Sequence, residues 1–114
     1  MRVLLDECLP RELTRALTGF DPKTARQMNW LGIKNGRLLK LIGDSRNFDV
    51  FVTVDKNLPY QQNLTGISFA IVVLRLKSNR VNDVLAHAPE LLRRLPNLKP
   101  GDVVELSPSA IADA

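Results

Sequence analysis

The sequence predicts an α/β domain of three layers, with a central, mostly parallel sheet of four or five strands covered by helices on both faces. Two apolar runs carry the prediction. Val50-Phe51-Val52-Thr53-Val54 and Phe69-Ala70-Ile71-Val72-Val73-Leu74 are rich in β-branched residues and apolar on both alternating faces, as a strand buried on both sides must be. Stretches of helical spacing separate the apolar runs, and strict alternation of strand and helix is the pattern of a parallel sheet. The length, 114 residues, suits one domain spanning 1–114 and leaves little room for a second core.

The elements follow in order. Val3-Leu4-Leu5 is a first strand. Pro10 opens a helix without losing a needed donor, Leu9, Leu13 and Leu17 recur on one face, and Gly19 stops it. Lys23-Thr24-Ala25, after Asp21-Pro22, is a marginal second strand. Asn35 is placed to cap a helix over Gly36 to Ile42, with Leu38, Leu39 and Ile42 inward and Gly43 as terminator. The two apolar runs are the third and fourth strands, and Leu58-Pro59-Tyr60-Gln61-Gln62-Asn63 between them reads as a mobile surface segment. Asn79 or Asn82 caps a helix carrying Val81, Val84, Leu85 and Ala88; Pro89 kinks or restarts it, and Leu91, Leu92 and Leu95 continue its apolar face. Val103-Val104-Glu105-Leu106, after the turn Lys99-Pro100-Gly101-Asp102, is a weaker last strand. The small residues from Ser107 to Ala114 are expected to fray. Right-handed crossovers are expected throughout, and the order 2-1-3-4 puts a ligand crevice between the carboxyl ends of strands one and three.

Composition narrows the function classes. No apolar run reaches the roughly 18 residues of a membrane span, and the opening MRVLLDECLP has too short an apolar stretch for a secretory signal. A single cysteine makes no internal bridge, which together with the absence of a signal points to the cytoplasm. Sixteen Lys and Arg against twelve Asp and Glu give a net charge of +4, a balance suited to a polyanion and equally to an ordinary solvated surface. Aromatic residues are only 5%, which argues against a base-stacking platform.

The chemistry-bearing residues sit at strand ends. Asp6-Glu7 follows the first strand and Asp55 follows the third. In the order 2-1-3-4 these carboxylates flank the crevice. Hard divalent cations take one or two carboxylates with waters and substrate phosphate, and a cation held there polarises a phosphodiester and acidifies an attacking water. The alternative is that Asp6 and Asp55 merely end strands or cap helices. Lys34, Arg37, Lys56, Lys77 and Arg80 fall in loops or helix starts on the crevice side, where they can hold a phosphate backbone or simply solubilise the surface.

These residues carry a resemblance. Leu5-Asp6-Glu7-Cys8-Leu9-Pro10 is similar to the "LADENLP" opening of the PIN-like proteins of the DUF5615 group, relatives of the PIN-domain ribonucleases. Thr53-Val54-Asp55-Lys56-Asn57-Leu58 resembles their "VTxDxDF" segment, Gly32 to Leu39 resembles their "G-x-x-(D/N)-x-x-(I/L)-L" helix start, and Ser78-Asn79-Arg80 is similar to a segment of a close subgroup. The likeness runs from Met1 to about Leu106. It implies a PIN-like α/β/α fold and an acidic, Mg²⁺- or Mn²⁺-dependent ribonuclease site. For many members it also implies the toxin half of a toxin–antitoxin pair, with a small antitoxin protein as partner, and a homodimer. By position, Asp6 and Asp55 match the metal-binding acids and Glu7 a second acid; Asn35 stands where many relatives have an acid and is a candidate neutral ligand. Asn57 replaces the second Asp of the acidic pair, and Cys8 stands in place of Asn. With Lys34, Arg37, Lys56, Lys77 and Arg80, Asn57 and Asn79 complete the candidate RNA-contacting set.

Two other functions compete. The loss of acids at Asn35 and Asn57 leaves open a catalytically weak PIN-like module that binds RNA or a protein. A phosphoacceptor receiver domain shares the acidic pair and the Asp after strand three, but it needs Ser or Thr ending strand four and Lys ending strand five. Here those ends read Arg75-Leu76-Lys77 and Leu106-Ser107-Pro108, which disfavours it. His87 has no Cys or His partner at metal spacing and reads as a surface or packed histidine. Cys8 reads as a small buried residue, and Trp30 as an anchor for a loop or a partner.

Overall fold

Parallel strands cannot be joined by tight turns, so each connection must cross the sheet through other structure. The computed structural model describes residues 1–107; the frayed tail expected from Ser107 onward falls, from residue 108, outside them. Strands β1 (Arg2–Leu5), β2 (Asp21–Thr24), β3 (Val50–Thr53), β4 (Ala70–Leu74) and β5 (Val103–Leu106) form a single sheet in the order β2-β1-β3-β4-β5. Every neighbouring pair is parallel. The marginal second strand is real and lies at an edge, where Pro22 costs no ladder bond and the charges of Asp21 and Lys23 discourage further pairing.

Helices cover both faces, giving three layers. On one face Val3, Leu5, Val50, Val52, Val72 and Leu74 pack with Leu13 of α1 (Glu12–Ala16), Val84 of α4 (Val81–Leu85) and Leu91 of α5 (Ala88–Arg94). On the other face Leu4, Phe51, Ile71 and Val73 pack with Leu38, Leu39 and Ile42 of α2 (Asn35–Ser45) and Leu58 of α3 (Leu58–Gln61). Because side chains alternate, a slip of one residue would turn both sets away from their helices, so the register is pinned from both sides.

The expectation of uniformly right-handed crossovers fails, because the last connection differs in hand from those before it. The chain steps from β1 outward to β2, then back past β1 to β3, on to β4 and on to β5. Connections of one hand put α1 on one face and everything after it on the other. Helices α2 and α3 obey this, but α4 and α5 lie on the face of α1. The β4-to-β5 connection therefore has the opposite hand to the other three, against a strong general preference for right-handed crossovers. Val84, Ala88, Leu91 and Leu95 join the α1 core on that face. The result is lopsided cover over β5: Val104 and Leu106 pack into that core while Val103 and Glu105, on the other side, are exposed.

Several local expectations are corrected. Asn35 is the first residue of α2 and the capping position is Lys34, which has no side-chain cap bond. Gly43 does not terminate α2. It sits inside the last turn against the Phe69 ring, and the helix continues to Ser45 before Arg46 turns left-handed at φ 54°. Neither Asn79 nor Asn82 caps α4; Arg80 occupies that position, and the Ser78 hydroxyl accepts from its amide at 3.1 Å while donating to Asp83. The segment read as a mobile surface stretch contains α3, anchored by the fully buried Leu58. Trp30 anchors its loop internally, edge-on to Phe48 with ring centroids 6.0 Å apart. Among the described residues no helix is long and apolar enough to cross a membrane.

Candidate active site

Strand adjacency brings the acids together. Since β1 pairs with β3, Leu5 lies level with Val52, and the Asp6 amide donates to the Val52 carbonyl at 2.9 Å. Alternation then turns Asp6 and Thr53 toward the α2 face, in step with Leu4 and Phe51. The Thr53 hydroxyl donates to Asp6 Oδ2 at 2.7 Å and accepts from the Asp55 amide at 3.2 Å. One fully buried hydroxyl thus joins the Asp6 carboxylate to the backbone amide of Asp55.

The chain of bonds extends at both ends. Asp6 Oδ1 accepts from the Glu7 amide at 2.8 Å, and Glu7 Oε2 accepts from the Gly32 amide at 3.1 Å. On the other side Asp55 Oδ1 accepts from the Asn57 amide at 3.0 Å, and Asp55 Oδ2 accepts from Asn35 Nδ2 at 2.6 Å. A contact that short to a carboxylate requires the nitrogen of the amide rather than its oxygen. Asn35, at the start of α2, therefore orients Asp55. Thr53 is the functional residue that sequence reasoning passed over. Its signal was there: a hydroxyl within a run of otherwise apolar side chains, two residues before the acid.

Electrostatics distinguish the acids. Burial pushes the Asp6 carboxyl above its ordinary value; the bonds from Thr53 and Glu7 pull it back, and the charges of Glu7 and Asp55 push it further up. Asp6 is 8% exposed. A cation beside it would favour the charged form and offset that desolvation.

The fit to a divalent metal follows from this donor set. Each carboxylate oxygen of Asp6 and Asp55 accepts one hydrogen bond and keeps further lone-pair capacity. Carboxylates with spare lone pairs are the hard oxygen donors that Mg²⁺ and Mn²⁺ take together with waters. These two do not make a closed cage: among the described residues no group of three or more His, Cys, Asp or Glu could hold a metal ion.

Two depressions run along the rim on either side. One, of about 400 Å³, is lined by Asp6, Glu7, Leu9, Arg11, Thr24, Arg26 and Leu31, at the exits of β1 and β2. The other, of about 440 Å³, is lined by residues that include Cys8, Val54, Lys56, Arg75, Lys77, Ser78 and Asn79, at the exits of β3 and β4. Lys56, Lys77 and Asn79 thus share one cavity. Lys34 and Arg80 are exposed capping residues of α2 and α4. Arg37 lies apart from this group, lining a hollow on α2 with Gly36, Lys40, Leu41 and Asp44. Cys8 is exposed, not buried, and partial desolvation followed by the Asp6 charge raises its thiol pKa. His87 is packed, 1% exposed, with Nδ1 unpartnered. Compared with known proteins, the chain matches no family model, no curated protein and no solved structure.

Proposed function

We propose that the protein is a metal-dependent ribonuclease of PIN-like type, with Asp6 and Asp55 as the principal metal ligands and Glu7 in support. The observation that carries this reading is that neighbouring parallel strands deliver the two acids to one rim, where Thr53 ties the Asp6 carboxylate to the Asp55 backbone amide and the charge of Asp55 is felt at Asp6. The motif resemblance and the basic cavity beside the pair add to it. When bound, Mg²⁺ or Mn²⁺ supplies a Lewis acid that polarises a phosphodiester and lowers the pKa of water. The chain's own contribution is positional. Thr53 and the Glu7 amide fix the two oxygens of Asp6, Asn35 and the Asn57 amide fix those of Asp55, and the Asn35 amide oxygen remains free as a neutral donor. Lys56, Lys77 and Asn79 hold the phosphate backbone through contacts that position it without reading its sequence.

The test is labelled RNA incubated with the purified protein and Mn²⁺, beside an Asp6→Asn variant. Cleavage by the unsubstituted protein and its loss in the variant are expected; no cleavage, or equal cleavage by both, overturns the assignment. The open donor set favours one second reading, a non-catalytic RNA-binding module. Calorimetric titration separates the two, because that module binds RNA without detectable Mn²⁺ binding.

A further inference from the structure

Apart from Arg37 on α2, the cationic residues considered for RNA so far line the β3–β4 side of the acid pair or cap helices. The opposite cavity contains two arginines that no role accounts for. Arg11 and Arg26 line it together with Asp6 and Glu7, so they border the same space as the proposed ligand carboxylate. We propose that Arg11 and Arg26 form a phosphate subsite, and that single-stranded RNA lies across the rim from this subsite to the Lys56–Lys77 cavity. The inference rests on the ribonuclease reading and adds a direction to the substrate.

Three features support it. First, the arginines are available. Arg11 reaches only its sequence neighbour Glu12 among the described residues, at 3.8 Å with its own side chain largely in solvent, and Arg26 forms no ion pair among the described residues. Second, Arg26 is presented by a built turn. Thr24 and Gln27 exchange reciprocal bonds of 2.8 and 3.1 Å, the Asn29 amide donates to the Arg26 carbonyl at 3.0 Å, and the Trp30 amide donates to the Ala25 carbonyl at 2.9 Å. The Trp30–Phe48 contact holds the far end of the loop. A guanidinium on an ordered turn loses less freedom on gripping a phosphate than one on a loose loop, and its planar fork suits phosphate oxygens. Third, Leu31 lines the same cavity while 42% exposed, which offers an apolar surface to a base or sugar beside the phosphate. The strand order β2-β1-β3-β4 places the acids between the two cationic walls.

The test reads binding separately from cleavage. With metal chelated, anisotropy is measured for unstructured RNA of about 3 and about 10 nucleotides, lengths chosen against single-strand footprints of about 4–16 nucleotides. The Arg11→Ala/Arg26→Ala double variant should weaken the longer RNA about tenfold and lower its salt slope by about 1.4, at ~0.7 per lost contact. The shorter RNA should change less than about twofold, because it fits within the Lys56–Lys77 cavity alone. Arg11→Gln/Arg26→Gln, which keeps most of the side-chain bulk, should match the alanine pair, and Lys40→Ala/Lys99→Ala controls for bulk charge. Equal weakening by the arginine and control pairs, or no length dependence, overturns the subsite. Cleavage with Mn²⁺ that persists unchanged in the arginine variant rejects the subsite and leaves the nuclease reading standing. Arginine-dependent binding of long RNA without any cleavage does the reverse.

Discussion

The two cavities along the strand-exit rim are close in volume and differ in charge. The β3–β4 cavity has Lys56, Arg75 and Lys77 on its walls and, among the described residues, no carboxylate. The β1–β2 cavity sets Arg11 and Arg26 against Asp6 and Glu7. A polyanion is attracted to the first without opposition, whereas in the second its approach is balanced until a cation neutralises the acids. The difference is one of sign: among the described charged groups, one side of the rim is lined by cations alone, while the other opposes its arginines with Asp6 and Glu7.

The largest expected effect comes from erasing that asymmetry. Lys56→Glu/Lys77→Glu makes the gripping cavity as mixed as its neighbour, and RNA affinity should fall by roughly 100-fold at about 0.1 M salt. Unchanged affinity in a binding titration breaks the comparison. Next is Thr53→Val, which keeps the side-chain shape and removes the hydroxyl between the acids. It leaves Asp6 Oδ2 without its donor, so denaturant melts should show a loss of about 1–3 kcal/mol, and cleavage should drop by about 10–100-fold, as for other supporting residues of metal sites.

Acid should act on the two sides with opposite sign. The Asp6 carboxyl is raised by burial, so the folded protein holds that proton more tightly than the unfolded chain. Its contribution to stability is lost as pH climbs from the ordinary carboxylate range through the raised value, and Asp6→Asn should melt higher than the parent at pH 7. Behind the other cavity, burial lowers the His87 pKa below 6.5, with a partial counter-effect from a bond to the Arg75 backbone. The stability it gives is complete above 6.5 and lost as pH falls through the lowered value, because the unfolded chain then binds the extra proton. Melting curves between pH 7 and 5 should fall less steeply in His87→Gln. The smallest effect belongs to the Arg75–Glu105 pair, 3.5 Å apart and partly exposed. Glu105→Gln should cost at most about 1 kcal/mol and should sharpen the positive character of the gripping cavity.

Much of this arrangement is legible in the chain itself. Two-sided apolar runs marked β3 and β4, and acids directly after apolar runs marked the rim, because a parallel sheet exposes its strand ends whatever the details of packing. Thr53 was harder to see. Threonine suits a strand on propensity alone, and only the register between β1 and β3 reveals that its hydroxyl meets Asp6. Asn35 misled for a related reason: an asparagine before a helix looks like a cap, whereas its amide is drawn to Asp55 by a contact 20 residues away. The hand of the last crossover was illegible because the apolar faces of α4 and α5 fit either side of the sheet. Only their preference for the α1 core decides it.

That reversed connection has a consequence for how the molecule breathes. β5 is attached to a single neighbour, and one of its broad sides faces water. Its amide protons should exchange with solvent well before those of β1, β3 and β4, opening as a peripheral unit together with the helices that deliver it. Since the β4 exit carries Arg75 and Lys77, such fraying reshapes the cationic wall while the carboxylates on the inner strands stay fixed.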